Sequence, residues 1–135
     1  VDTSAWIALE DPADQNHVSA VNFRREIRKR KHRLITSCYI LDETYTFLLL
    51  NIGYEKVIRF HVRIMKMKES GILKIAHITE DNEEKAWEIF RRFNIDKKWS
   101  FTDCISKVVM EESGVKEVFA FDHHFEQMGF LREPQ

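Results

Sequence analysis

Short β-prone runs alternate with helix-periodic segments along this chain, and that alternation restricts the possible folds more than any other feature. Residues 34–36, 72–78 and 118–121 read as strands, and the stretches between them carry apolar residues at helical spacing. The last run, Val118-Phe119-Ala120-Phe121, is β-branched and aromatic without polar alternation, as expected of a strand covered on both faces. Such an order implies an α/β domain with a short, mainly parallel central sheet under helices. Ligands of sheets of this kind bind beyond the carboxyl ends of the strands, so the residues placed there carry the functional information.

Helix boundaries follow from caps and breakers. A first helix is expected over 4–9, closed by Asp11-Pro12. A second runs from Asp14 as its cap to about Lys31, burying Val18, Val21 and Ile27 and turning its cations outward. Ser37 caps a third helix, which carries Ile40, Leu41, Thr44, Tyr45, Phe47 and Leu48 and stops at Gly53; residues 54–70 form a fourth, closed by Gly71. Thr79 opens a fifth with Ala86, Ile89, Phe90 and Phe93 on its buried stripe, and Ser100-x-x-Asp103 is the capping box of a sixth that ends at Gly114. Val1-Asp2 reads as the last step of a strand whose earlier residues precede this sequence. His17, His61 and His77 fall at apolar-periodic positions and read as partly buried core residues. Trp6, Trp87 and Trp99 read as core or interface residues, and Met65 and Met67 as packing.

A chain of 135 residues, 44% apolar, with ten Phe and three Trp, suits one domain over residues 1–135 with a real core and excludes disorder as its main state. The net charge of −1 excludes an indiscriminate polycation. It hides a basic run, Arg24 to Arg33, that holds seven cations against one Glu. Cys38 and Cys104 have no CxxC spacing and are too few for a disulfide framework, which points to a reducing compartment, the cytoplasm. No run approaches the roughly 18 apolar residues of a membrane span, and no secretory leader is visible.

Four acids are placed where an α/β domain binds ligands. Asp2 and Asp122 follow strand ends, and Glu43 and Asp103 lie in the first turns of helices, so all four can face one edge of the sheet. Clustered carboxylates repel by roughly 4 kcal/mol per pair at 4 Å and an effective dielectric of about 20. A divalent cation removes that conflict, and an all-oxygen set without accompanying Cys favours Mg²⁺ or Mn²⁺ over structural zinc. Each acid taken singly also suits a helix cap or turn. Adjacent His123 and His124 are unsuited to sharing one metal and read as structural or substrate-side.

The pieces Val1-Asp2-Thr3-Ser4, Leu41-Asp42-Glu43, Phe101-Thr102-Asp103-Cys104 and Phe121-Asp122-His123-His124-Phe125 through Gly129-Phe130 resemble, in order and separation, the motifs of PIN-domain nucleases, with the VapC-type toxin branch most similar. The resemblance implies a three-layer α/β/α domain. It also implies a metal-dependent endoribonuclease with acids on Asp2, Glu43, Asp103 and Asp122, which leaves 5′-phosphate and 3′-hydroxyl ends. Thr3, Ser4 and Thr102 match hydroxyl positions that assist metal, water or phosphate placement. The toxin branch further implies a small antitoxin over the active site and a homodimer, for which apolar residues on the helices from Ile40 and from Tyr54 would serve.

An acidic pocket accepts RNA when a cation fills it and basic residues flank it. Arg24, Arg25, Arg28 and Lys29 are the candidates for phosphate contact. Two other readings compete: a non-catalytic PIN-like RNA-binding scaffold, and a phosphohydrolase of small substrates. Keeping four mutually repelling acids argues against the first. For the second, Asp2-Thr3-Ser4 lacks the second Asp two positions on that an aspartyl-phosphate mechanism would use.

Overall fold

The computed structural model describes residues 1–135. In chain order the elements are α1 (Thr3–Glu10), α2 (His17–Lys29), β1 (Leu34–Ser37), α3 (Cys38–Asn51), α4 (Tyr54–Glu69), β2 (Leu73–Ala76), α5 (Glu80–Phe93), α6 (Phe101–Ser113), β3 (Glu117–Phe119), α7 (His124–Gln127) and β4 (Leu131–Glu133). β1 pairs in parallel with β2, Leu34 opposite Leu73, and β3 pairs in parallel with β4, Glu117 opposite Leu131.

Val1 and Asp2 knit the two pairs together. Val1 N donates to Ile35 O (2.6 Å), the Thr36 hydroxyl donates to Val1 O (3.1 Å), and Asp2 N donates to Phe119 O (2.9 Å). The spatial order is therefore β2, β1, Val1–Asp2, β3, β4. An apolar slot of about 210 Å³ continues between β1 and β3, lined by Ile27, Ile40, Val109, Met110 and Val118. The buried Ser106 hydroxyl in its wall has no hydrogen-bond partner.

Helices cover the sheet in the three-layer manner. Trp6 of α1, Leu48 of α3 and Phe60 and Ile64 of α4 pack with Leu34 and Leu73, each contributing about 1.5–3 kcal/mol by burial. A second cluster joins α5 to α6 through Ala86, Cys104, Ile105 and Val108 with Trp99, and a third packs Phe125 of α7 on Val118 and Met110. No helix is long and apolar enough to cross a membrane.

The capping chemistry forms as expected at Ser37, Thr79 and Ser100, and Gly114 takes the left-handed conformation (φ 66°) that closes α6. Elsewhere the boundaries shift. Asp14 does not cap α2: its carboxylate accepts from Asn16 N in a local turn (2.7 Å), and the helix starts at His17. The face of α2 turned to the core carries Ala20, Phe23 and Ile27, which leaves Val18 71% exposed. β2 is shorter than 72–78, and β3 ends at Phe119 rather than Phe121 because Phe121 N turns to a side-chain oxygen of α1. β4 and α7 are additional elements. His61 and His77 are exposed rather than partly buried; His61 sits on the outer face of α4, where its Nδ1 meets the Tyr45 hydroxyl at 2.8 Å. Trp87 is 52% exposed and stacks on Phe90.

Candidate active site

Each of the four acids is held by the start or end of an element. Asp2 caps α1, its Oδ2 accepting from the Ser4 N–H (3.1 Å) and the Ser4 hydroxyl (2.7 Å). That hydroxyl also accepts from Phe121 N (3.0 Å), which ties the start of α1 to the chain leaving β3. Glu43, in the second turn of α3, accepts at Oε1 from the Thr3 hydroxyl (2.8 Å). Asp103 closes the capping box of α6, its Oδ2 accepting from Ser100 N (3.1 Å), and His124 Nδ1 reaches the same oxygen at 2.8 Å. Asp122 accepts at Oδ1 from His124 N (3.0 Å), with His124 Nδ1 at 3.3 Å.

One pattern runs through all four. A single oxygen of each carboxylate is tied by an N–H or O–H of its neighbours, and in three of them the other, Asp2 Oδ1, Asp103 Oδ1 and Asp122 Oδ2, accepts no hydrogen bond from the protein; Glu43 is met by the Thr102 hydroxyl as well as by Thr3. The tied oxygens fix the geometry, and the others are hard donors available to a ligand.

The electrostatics carry the mark of convergence. Burial pushes the Asp2 carboxyl above its ordinary range; the Ser4 bonds oppose this and the charge of Asp103 adds to it. Burial likewise raises Glu43, with the Thr3 and Thr102 hydroxyls opposing and the charges of Asp2 and Asp103 adding. Asp103, Asp122 and His124 bring ligand atoms within 4.8 Å of one another. Asp2 and Glu43 lie outside that group of three, although the charge of Asp103 acts on both. An all-carboxylate donor set with unpartnered oxygens fits a hard divalent cation, and no basic side chain is hydrogen-bonded into it apart from His124.

The hydroxyls also have defined places. Thr3 and Ser4 both give their protons to carboxylates, and Thr102 stands near Glu43. The basic residues lie elsewhere. Arg24, Arg25, Arg28 and Lys29 belong to the C-terminal half of α2, which leads through Arg30–Arg33 into the first residue of β1. They stand toward the N-terminal edge of the sheet, about 13 Å of strand away from the acids at the other edge. His124 joins the cluster although its sequence context set it apart. The signal available was the Asp122-x-His124 spacing, in which an Asx turn folds the second residue back over the first.

A parallel sheet whose carboxyl edge gathers four acids from four segments, at this order and separation, defines the PIN-domain class. A family model described as PIN domain matches residues 1–131, and the chain belongs to that family. Within it the similarity runs to VapC proteins. The Mycobacterium tuberculosis protein named 23S rRNA-specific endonuclease VapC20 is 34% identical over 131 residues, covering 97% of this chain and 94% of the relative. A VapC ribonuclease of Archaeoglobus fulgidus is 31% identical over 127 residues, covering 93% of this chain and 77% of the relative. The crystal structure of M. tuberculosis VapC20, described as a Sarcin-Ricin loop cleaving toxin, superposes with a TM-score of 0.82 at 30% identity, covering 96% of this chain and 94% of that one.

Proposed function

We propose that this chain is a divalent-cation-dependent endoribonuclease that hydrolyses RNA phosphodiester bonds, acting in the cytoplasm as the toxin of a toxin–antitoxin pair. The observation that carries the reading is the set of four carboxylates held at element ends, three of them with one oxygen tied and one unpartnered. The relatives named as ribonucleases support it. Asp2, Glu43, Asp103 and Asp122 would hold Mg²⁺ or Mn²⁺, which would polarise the scissile phosphate and lower the pKa of an attacking water.

The chain's own residues supply orientation. Ser4 and Thr3 lock the rotamers of Asp2 and Glu43, so little reorganisation is left for the moment of reaction. No side-chain nucleophile is needed: Cys104, the thiol beside Asp103, is buried and pushed up to about 11, so it remains protonated. Arg24, Arg25, Arg28 and Lys29 contact the RNA backbone as it passes from the acidic edge to the opposite one. A small antitoxin covers the acidic edge in the inactive complex. Phe47, Leu50, Tyr54, Ile58 and Val62, all exposed on α3 and α4, form the face of a homodimer.

The test is cleavage of labelled RNA, single-stranded DNA and a generic phosphomonoester with Mg²⁺, Mn²⁺ or EDTA. Cation-dependent internal cuts in RNA alone support the proposal. Equal turnover of the monoester, or cleavage in EDTA, overturns it.

A further inference from the structure

We infer that His124 is a positioning residue that sets the spacing of Asp103 and Asp122. The inference rests on the cation-dependent reading of the acidic site. Asp103 belongs to the first turn of α6 and Asp122 to the chain leaving β3, so no continuous element holds the two carboxylates at a fixed separation. His124 connects them. Its main-chain N–H binds Asp122 Oδ1 at 3.0 Å, and its ring Nδ1 lies 2.8 Å from Asp103 Oδ2 and 3.3 Å from Asp122 Oδ1.

Ionised carboxylates only accept hydrogen bonds, so Nδ1 carries the proton, and the neutral imidazole already has it in one of its two tautomers. The ring is half-buried, and the adjacent Phe125 is fully buried in the third cluster, so the backbone carrying the imidazole is anchored. The bond occupies the oxygen of Asp103 that Ser100 already uses and leaves Oδ1 unpartnered. His123, the other half of the pair, points to solvent with its side chain 77% exposed and makes no such link.

Outer partners that orient metal-binding carboxylates are typically worth 10–100-fold in affinity or activity. His124→Ala is therefore expected to weaken Mn²⁺ binding by about that factor and to lower kcat with little change in KM. The discriminating variants are the two amides. In His124→Asn the side-chain nitrogen replaces Nδ1 and can make the same bond to Asp103; in His124→Gln it falls near Nε2 and cannot.

The experiment measures Mn²⁺ binding by calorimetry in wild type and the three variants, with RNA cleavage in parallel and unfolding in EDTA to establish that each is folded. Recovery by Asn to within a few-fold of wild type, with Ala and Gln both impaired, is the expected result. If Asn fails as Ala does, the imidazole acts as a ligand or proton carrier and the positioning role is wrong. If Ala binds Mn²⁺ and turns over like wild type, His124 has no role in the site. Failure of wild type itself to bind Mn²⁺ overturns the reading of the site instead, which keeps the two outcomes distinct.

Discussion

Asp103→Asn separates the two jobs of one side chain. The amide oxygen can keep the tied position, accepting from Ser100 N and His124 Nδ1, so the capping box of α6 survives. What disappears is the charge facing Asp2, Glu43 and Asp122. A pair of charges near 5 Å at an effective dielectric of 20 repels by about 3 kcal/mol, and the partial exposure of Asp122 reduces this to roughly half. Against it stand the lost charge–dipole attraction at the start of α6, about 0.3–1 kcal/mol, and a weaker bond to His124. Without cation the variant should be more stable than wild type by on the order of 1 kcal/mol, a rise of about 3–4 °C for a domain of this size.

With Mn²⁺ the order should reverse. A ligand at 100 times its Kd stabilises by about 2.7 kcal/mol, and the variant forgoes most of that gain along with RNA cleavage. The assay is thermal unfolding followed by circular dichroism, in EDTA and in excess Mn²⁺. A variant less stable than wild type in EDTA, or one that gains as much from Mn²⁺, would make Asp103 a helix cap and nothing more.

Other expectations follow from the same geometry. Asp2 and Glu43 have raised pKa values when folded, so between the unfolded and folded values the native state binds more protons, and stability falls as pH rises. The buried Val1 ammonium, lowered to about 6, works in the opposite sense between there and its unfolded value, so the acids' share is read against Glu43→Gln: as pH rises above the ordinary carboxylate range the variant should lose less unfolding temperature than cation-free wild type, and Mn²⁺ should remove the difference. Replacing Arg25, Arg28 and Lys29 by Ala should shallow the salt dependence of RNA binding by nearly one log–log unit for each phosphate that is no longer neutralised, and an unchanged slope would return α2 to plain solvated surface. Leu50, 76% exposed, and Tyr54, 69% exposed, lie close in sequence at the turn from α3 to α4. Leu50→Glu should shift a dimer to monomer in sedimentation velocity while leaving the fold intact; an unchanged distribution would remove that face from the interface.

Much of this architecture is legible in the sequence, for identifiable reasons. Ser37, Thr79 and Ser100 signal their helices because cap geometry is local, and Gly114 ends α6 because the left-handed residue there costs glycine little. The four acids stand out because connectivity alone puts strand ends and helix starts at one edge. Long-range choices are less visible. β4, Leu131–Glu133, is an edge strand with two charged residues among three, and nothing in its composition announces pairing with β3. Val18 reads as core because helical periodicity does not say which apolar stripe of α2 meets α1 and the sheet; tertiary packing chooses Ala20, Phe23 and Ile27. The bond from His124 to Asp103 spans 21 residues and depends on where α6 docks, which local pattern cannot supply.

Calorimetric titration of the purified protein with Mn²⁺ and Mg²⁺, beside the quadruple variant with Asp2, Glu43, Asp103 and Asp122 changed to their amides, decides whether these carboxylates bind a divalent cation. Saturable uptake by wild type that is lost in the folded variant is the expected result. Heats that are absent from wild type, or that persist unchanged without the four carboxylates, would contradict a cation-binding acidic site.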